Sequence, residues 1–139
     1  MTAARDIMHQ GVECIGEHET LTFAAQRMHE LDVGALPICG DDDRLHGIIT
    51  DRDIVLKCVA AGGDPTTMTA GELAQGKPIT VEAEADLQQV LRTMEQHRIR
   101  RLPVIDEHRL AGMISEADLA RNLPEEMVGH FVEVICANP

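Results

Sequence analysis

Gly47-Ile48-Ile49-Thr50-Asp51-Arg52-Asp53-Ile54 returns in the second half of the chain as Gly112-Met113-Ile114-Ser115-Glu116-Ala117-Asp118-Leu119. Each copy ends an apolar run in a hydroxyl and a carboxylate at fixed spacing, Thr50 with Asp53 and Ser115 with Asp118. The match extends outward from this tag. Arg44-Leu45-His46-Gly47 falls on Arg109-Leu110-Ala111-Gly112, and Leu36-Pro37-Ile38 on Leu102-Pro103-Val104. Further upstream Leu21 falls on Leu87, Met28 on Met94 and Val33 on Ile99, once a single residue is dropped from the loop at 41–43. A period this long, present only twice, indicates a tandem duplication that folds as one unit, not a solenoid.

Both copies read as β-α-β-β-α. A short apolar strand at 12–15, or 79–81, leads into a helix that Thr20, or Asp86, can cap. Leu21, Ala24, Ala25 and Met28 fall on one face of the first helix; Leu87, Val90, Leu91 and Met94 form the matching stripe. A second strand follows at 35–39, or 102–105, and its proline (Pro37, Pro103) predicts an edge or strand-start position. A polar turn returns the chain into a third strand, 46–50 or 111–115, whose last residue can cap the next helix. Gly62-Gly63 ends that helix in the first copy, and Thr69 with Glu72 makes a capping box after the link. Pro124-Glu125-Glu126 opens a final helix, Glu125–Cys136, with Val128, Phe131, Val132 and Ile135 on one side. It has no counterpart in the first copy, so it must pack on this chain or on a partner. The expected domains are 6–63, 69–123 and a tail at 124–139.

The bulk composition excludes several function classes. At 139 residues the chain is large enough for one real core, which the halves are expected to share. Two Phe and no Trp or Tyr leave Leu, Ile, Val, Met and Ala to fill it. A net charge of −12 argues against nucleic acid and anionic membranes as partners. No run of about 18 apolar residues exists and no signal-peptide layout opens the chain, so the expected compartment is the cytoplasm.

Four cysteines without any C-x-x-C make structural zinc unlooked-for, and seven histidines show neither H-x-x-x-H nor H-E-x-x-H. The expectation is no resident metal and no cofactor, with adventitious zinc left open. Cys58 and Cys136 sit at helical spacing from apolar residues and read as small core hydrophobes. Cys14 and Cys39 differ. Their strands are joined by one helix, and a right-handed crossover places such strands parallel and adjacent. The aligned positions in the second copy are Thr80 and Ile105, so the cysteines are absent there as a pair. Either a disulfide or two separate buried thiols would fit. No Ser/His/Asp or Cys/His catalytic arrangement is present, so the chain is not expected to be an enzyme.

The duplicated unit and its Gly-Ile-Ile-Thr-Asp-Arg-Asp and Gly-Met-Ile-Ser-Glu-Ala-Asp tags (47–53 and 112–118) resemble the cystathionine-β-synthase (CBS) domain family, over nearly the whole chain. The resemblance implies an α/β (α+β) fold of two tandem CBS repeats about a pseudo-two-fold axis, plus the C-terminal helix. It also implies interdomain clefts that take adenosine-type ligands such as AMP, ATP or S-adenosylmethionine. By resemblance, Asp53 and Asp118 would accept ribose hydroxyls beside Thr50 and Ser115, with adenine against Ile15 and Val81. A carboxylate can accept two hydroxyl protons at once, which suits a diol. The same four polar residues also suit plain helix caps. Phosphate needs a cation. Arg100-Arg101 precedes the second Leu-Pro strand, whereas the first copy has Gly34-Ala35 there. One site is therefore expected to bind better than the other, with Asp118 slightly favoured as its ribose carboxylate. The leading expectation is a regulatory homodimer that signals through its geometry or an effector protein. The alternative is a stress-associated interaction protein with little or no nucleotide binding.

Overall fold

The computed structural model describes residues 2–74, 76 and 78–137. The chain runs α1 (Ala4–Ile7), β1 (Ile15–Gly16), α2 (Leu21–Leu31), β2 (Ala35–Cys39), β3 (Leu45–Thr50) and α3 (Asp51–Ile54), which continues as a π-helical turn, Val55–Val59. Then come α4 (Ala70–Leu73), β4 (Val81–Glu82), α5 (Leu87–His97), β5 (Arg101–Asp106), β6 (Arg109–Ser115), α6 (Glu116–Asn122) and α7 (Glu125–Cys136). Two three-stranded sheets result, ordered β1-β2-β3 and β4-β5-β6. In each the first pair is parallel and the second antiparallel.

The expected caps form. The Phe23 N–H donates to Thr20 Oγ1 at 3.1 Å, and the Gln89 N–H to Asp86 Oδ1 at 2.8 Å. The Thr69 N–H donates to Glu72 Oε2 at 2.7 Å. Asp32 and Arg98 close α2 and α5 in the left-handed conformation. The opening strands are shorter than the apolar runs suggested, only two residues each, because the pairing starts at Ile15↔Ile38 and Val81↔Val104.

That brevity explains the prolines. Pro37 and Pro103 sit inside the central strands, not at an edge or strand start as expected. They pair with Ile48 and Met113 on one side. On the other side the short parallel strand begins only opposite Ile38 or Val104, so no ladder bond is required of the missing N–H.

The chain divides into two compact units that do not follow the repeat order. Glu13–Pro78 forms the middle unit; the residues up to Val12 join those from Ile79 onward in a terminal unit. The short leading helices account for this. α1 belongs with the second repeat: Ala4 N–H donates to Ala85 O at 2.8 Å and His9 N–H to Met113 O at 2.7 Å. α4, its counterpart, packs on the first: Ala70 N–H donates to Glu19 O and Gly71 N–H to Glu17 O, both at 2.8 Å. The glycine opening each tag makes room for the arriving segment. A Cβ on Gly47 would lie 2.8 Å from Ala74 Cβ, and one on Gly112 would lie 2.6 Å from His9 O.

Each unit has its own core, not the single shared core that the chain length suggested, because each sheet is covered by helices of its own unit. Ile15, Leu21, Met28, Ile38, Ile49 and Cys58 centre the middle one; Val90, Met94, Leu102, Ile114, Leu119 and Phe131 centre the other. α7 spans the residues its sequence indicated and buries Phe131 and Ile135, but Val132 stays 43% exposed. Ala25 likewise turns to solvent. Cys58 is buried as expected, whereas Cys136 is exposed, because it is the last residue of α7 and falls off the stripe that carries the buried Phe131 and Ile135.

Candidate functional site

Each repeated tag folds into a strand, a capping residue and the first turn of a helix. In the middle unit the Thr50 N–H donates to Asp53 Oδ2 at 3.0 Å, and the Asp53 N–H to Thr50 Oγ1 at 3.0 Å. In the terminal unit the Ser115 N–H and hydroxyl donate to Asp118 Oδ2 at 2.8 and 3.0 Å. The Thr50–Asp53 bonds are reciprocal, whereas both Ser115–Asp118 bonds run from Ser115 to the carboxylate; in each unit the carboxylate satisfies the backbone N–H of the capping residue. Asp53 and Asp118 are the two buried charged residues among those described, 7% and 4% exposed.

A buried carboxylate needs charged or polar partners, and both have them. Lys57 Nζ lies 3.3 Å from Asp53 Oδ1. Arg121 donates to Asp118 Oδ1 at 2.6 Å, and His9 Nδ1 stands 3.9 Å from the same oxygen. Burial by itself would push the Asp53 carboxyl up. The hydrogen bonds from the Thr50 backbone and hydroxyl, with the Lys57 ammonium, outweigh it and hold the group below the ordinary carboxylate value. Lys57 and Arg121 are additions to the residues read from sequence. Their i+4 and i+3 spacing from the aspartates was a usable signal. His9 carried none, since it arrives with α1 from the far end of the chain.

The register places the arginines unequally. Arg101 on β5 lies directly across from Ser115 on β6, so the two side chains leave the same face of the ladder. Arg101 is exposed. Arg100 is engaged elsewhere, 3.5 Å from Glu116 Oε1 and 3.8 Å from Cys136 Sγ. In the middle unit the residue across from Thr50 is Ala35. Ile15 and Val81 are 4% and 5% exposed, committed to their unit cores.

Cys14 and Cys39 are joined as a disulfide, with Cα atoms 5.6 Å apart. The parallel β1–β2 pairing brings them together, as the crossover argument anticipated. At the same end of that sheet His46 sits between two carboxylates. Its Nδ1 is 3.3 Å from Glu17 Oε2 and its Nε2 is 3.2 Å from Asp42 Oδ1. Hydrogen bonds to Asp42 and then Glu17 raise the imidazole above its usual value, against a smaller opposing effect of burial. Among the described residues no group of three or more His, Cys, Asp or Glu is placed to hold a metal ion. None of the described helices is long and apolar enough to cross a membrane.

Two mixed three-stranded sheets, each ending in a capped Thr/Ser–Asp tag, define a tandem pair of CBS domains. The CBS domain model matches residues 4–59 and 70–125, and the chain belongs to that family. Hypoxic response protein 1 of Mycobacterium tuberculosis is 63% identical over 137 residues, covering 99% of this chain and 96% of that protein. A crystal structure of Hypoxic Response Protein I with two coordinated zinc ions is 65% identical, with TM-score 0.81, covering 88% of this chain and all (100%) of that one. A crystal structure of CBSX2 in complex with AMP shares the fold at TM-score 0.74 and 22% identity, covering 87% of this chain and 95% of that one.

Proposed function

We propose that this chain is a regulatory ligand-binding module that takes an adenosine-type molecule at the Ser115–Asp118 tag, with Arg101 on its phosphate. One observation carries the reading: Arg101 is an exposed guanidinium set directly across the ladder from Ser115. Asp118 Oδ2 already accepts the Ser115 N–H and hydroxyl, while Oδ1 accepts from Arg121 and retains a second lone pair for a ribose hydroxyl. AMP in a protein of the same fold makes this ligand class the first choice. The Thr50–Asp53 tag faces Ala35 and is the weaker site. In a protein of charge −12 only a local cation makes a cleft attractive to phosphate. The chain works as a homodimer whose geometry, or an effector protein, carries the output.

The test is calorimetry with AMP on wild type and on Arg101→Ala, Asp118→Ala and Asp53→Ala. A charge-assisted bond is worth about 1.5–3 kcal/mol, so Arg101→Ala should weaken binding by roughly ten- to a hundredfold. Asp53→Ala should leave the stronger site nearly unchanged. Equal affinity in all four proteins overturns the assignment. A thermal-shift screen of AMP, ADP, ATP, S-adenosylmethionine, NAD and zinc identifies the ligand, because binding to the native state raises its stability.

A second reading has a specific observation in its favour. Both carboxylates act as helix caps and hold a cation, which is a complete structural role without any ligand. If wild type binds none of the adenosine compounds, the chain is a stress-associated interaction protein, in keeping with its similarity to a hypoxic response protein.

A further inference from the structure

The two sheets share one register and differ in one covalent bond. β1 pairs with β2 at Ile15↔Ile38 and Gly16↔Cys39, and β4 pairs with β5 at Val81↔Val104 and Glu82↔Ile105. The second sheet keeps this register with Thr80 and Ile105 where the first has Cys14 and Cys39. The backbone pairing therefore forms without a covalent tie, and the bridge is an addition that the middle unit alone carries.

Its two halves differ in access. Cys39, on β2, is 7% exposed, whereas Cys14 is an exposed residue. Cys14 ends a stretch, residues 10–14, that belongs to no helix or strand, and Gln10, Gly11 and Glu13 are exposed with it. In thiol–disulfide exchange a thiolate attacks one sulfur while the other leaves, and access decides which sulfur is attacked. A molecule from solution meets the Cys14 side. The next residue, Ile15, is buried in the core of the unit, which keeps β1 in place when the bridge opens. The Cα atoms, 5.6 Å apart, then stay at a separation from which the bond can form again.

The surroundings select the attacking molecule. Glu13 and Glu17 flank Cys14, and Asp41, Asp42 and Asp43 follow Cys39 in the adjoining turn. Arg27 is paired with Glu13, and His46 stands between Glu17 and Asp42. Asp41 and Asp43 have no cationic partner among the described residues. The local field is negative and disfavours an attacker that brings carboxylates of its own.

We propose that Cys14 is a site of reversible S-thiolation, at which a small thiol bearing neutral or cationic groups displaces Cys39 while the unit stays folded. The attacking thiolate forms a new S–S bond to Cys14 Sγ. The Cys14–Cys39 bond breaks, its electron pair goes to Cys39 Sγ, and that sulfur takes a proton from water. Return attack by Cys39 expels the small thiol and restores the bridge. Attack by a second thiol molecule on the adduct instead releases a small-molecule disulfide and leaves both cysteines reduced.

The test uses the full chain carrying Cys136→Ser, which removes the exposed free thiol. Native protein is treated with cysteamine or with glutathione, quenched in acid and mapped by peptide mass spectrometry. The mixed disulfide should lie on Cys14 in roughly tenfold or greater excess over Cys39. Per thiolate, cysteamine should open the bridge about threefold or more faster than glutathione, which carries two carboxylates, and the ratio should approach unity in about 1 M salt. Where return attack by Cys39 is too fast for the adduct to accumulate, two further variants trap it. Cys39→Ser should take up cystamine at Cys14 roughly tenfold or more faster than Cys14→Ser takes it up at Cys39. Hydrogen exchange in the adduct should rise at residues 10–14 and remain unchanged in β2 and β3. An adduct that forms mainly on Cys39, or a bridge that opens only at urea concentrations that unfold the chain, overturns the site. Glutathione reacting as fast as cysteamine at low salt overturns the choice of thiol.

Discussion

Reduction of the Cys14–Cys39 bridge should destabilise the protein by an amount that its place in the chain sets. The two cysteines are 25 residues apart in sequence. For a loop of that length, the chain-entropy model gives about 3.5 kcal/mol of stabilisation through restriction of the unfolded chain. The native contribution points the same way, since the bridge ties β1, only two residues long, to β2. For cooperative unfolding of the whole chain the loss corresponds to about 12 °C in Tm. Guanidinium unfolding of wild type with and without a phosphine reductant, and of Cys14→Ser, measures it. The reduced wild type and Cys14→Ser should unfold at the same lower midpoint, and reductant should not shift the variant further. Cys136→Ser, at an exposed position, should match wild type under both conditions. Mass spectrometry after thiol labelling must show two additional free thiols in the reduced sample. If those thiols appear and the midpoint moves by less than about 0.5 kcal/mol equivalent, the bridge does not stabilise the fold as argued.

The Asp53 carboxylate should respond to acid in a defined direction. Asp53 is held below its ordinary value in the folded protein. Its contribution is therefore complete above the unfolded value of about 3.9 and is lost as pH falls through the folded value. Asp53→Ala should cost about 1–2 kcal/mol at neutral pH, and urea midpoints of variant and wild type should converge in acid. His46 has the opposite sign: its raised value means that its stabilising effect is present below about 6.5 and disappears as pH rises through the folded value. Asp42→Asn should return the His46 titration, followed by NMR, toward an ordinary imidazole; an unchanged titration would show that the carboxylate cage is not its cause. Phe131→Ala, at 1% exposure, should cost about 3–5 kcal/mol in thermal or urea melts. It should also make α7 an early site of proteolysis. A melt within 1 kcal/mol of wild type would mean that α7 is not anchored as described.

What the sequence by itself determined was local or repeated. The caps at Thr20, Asp86 and Thr69 and the bounds of α7 follow from bonds that close within one helical turn, and such bonds are written in adjacent residues. The duplication revealed the β-α-β-β-α units, because two copies of one pattern must preserve the same apolar positions. The cysteine pair was legible as well, since one short crossover fixes which strands are neighbours. Partners reached over long separations were decided only by tertiary structure. Nothing near Ala4 or Ala70 says that each leading helix packs on the other repeat's sheet, yet that exchange sets the unit boundaries and brings His9 to Asp118. Pro37 looked like an edge residue because the sequence could not show how late its parallel neighbour begins. Val132 and Cys136 looked like core by periodicity, but periodicity gives a face and not its covering. Here α5 and α6 cover only the part of α7 that carries Phe131 and Ile135. Whether a carboxylate serves a ligand or only a helix start is likewise a tertiary matter. The tags are the same in kind, and the difference between them is the side chain that strand register sets opposite, Arg101 in one unit and Ala35 in the other.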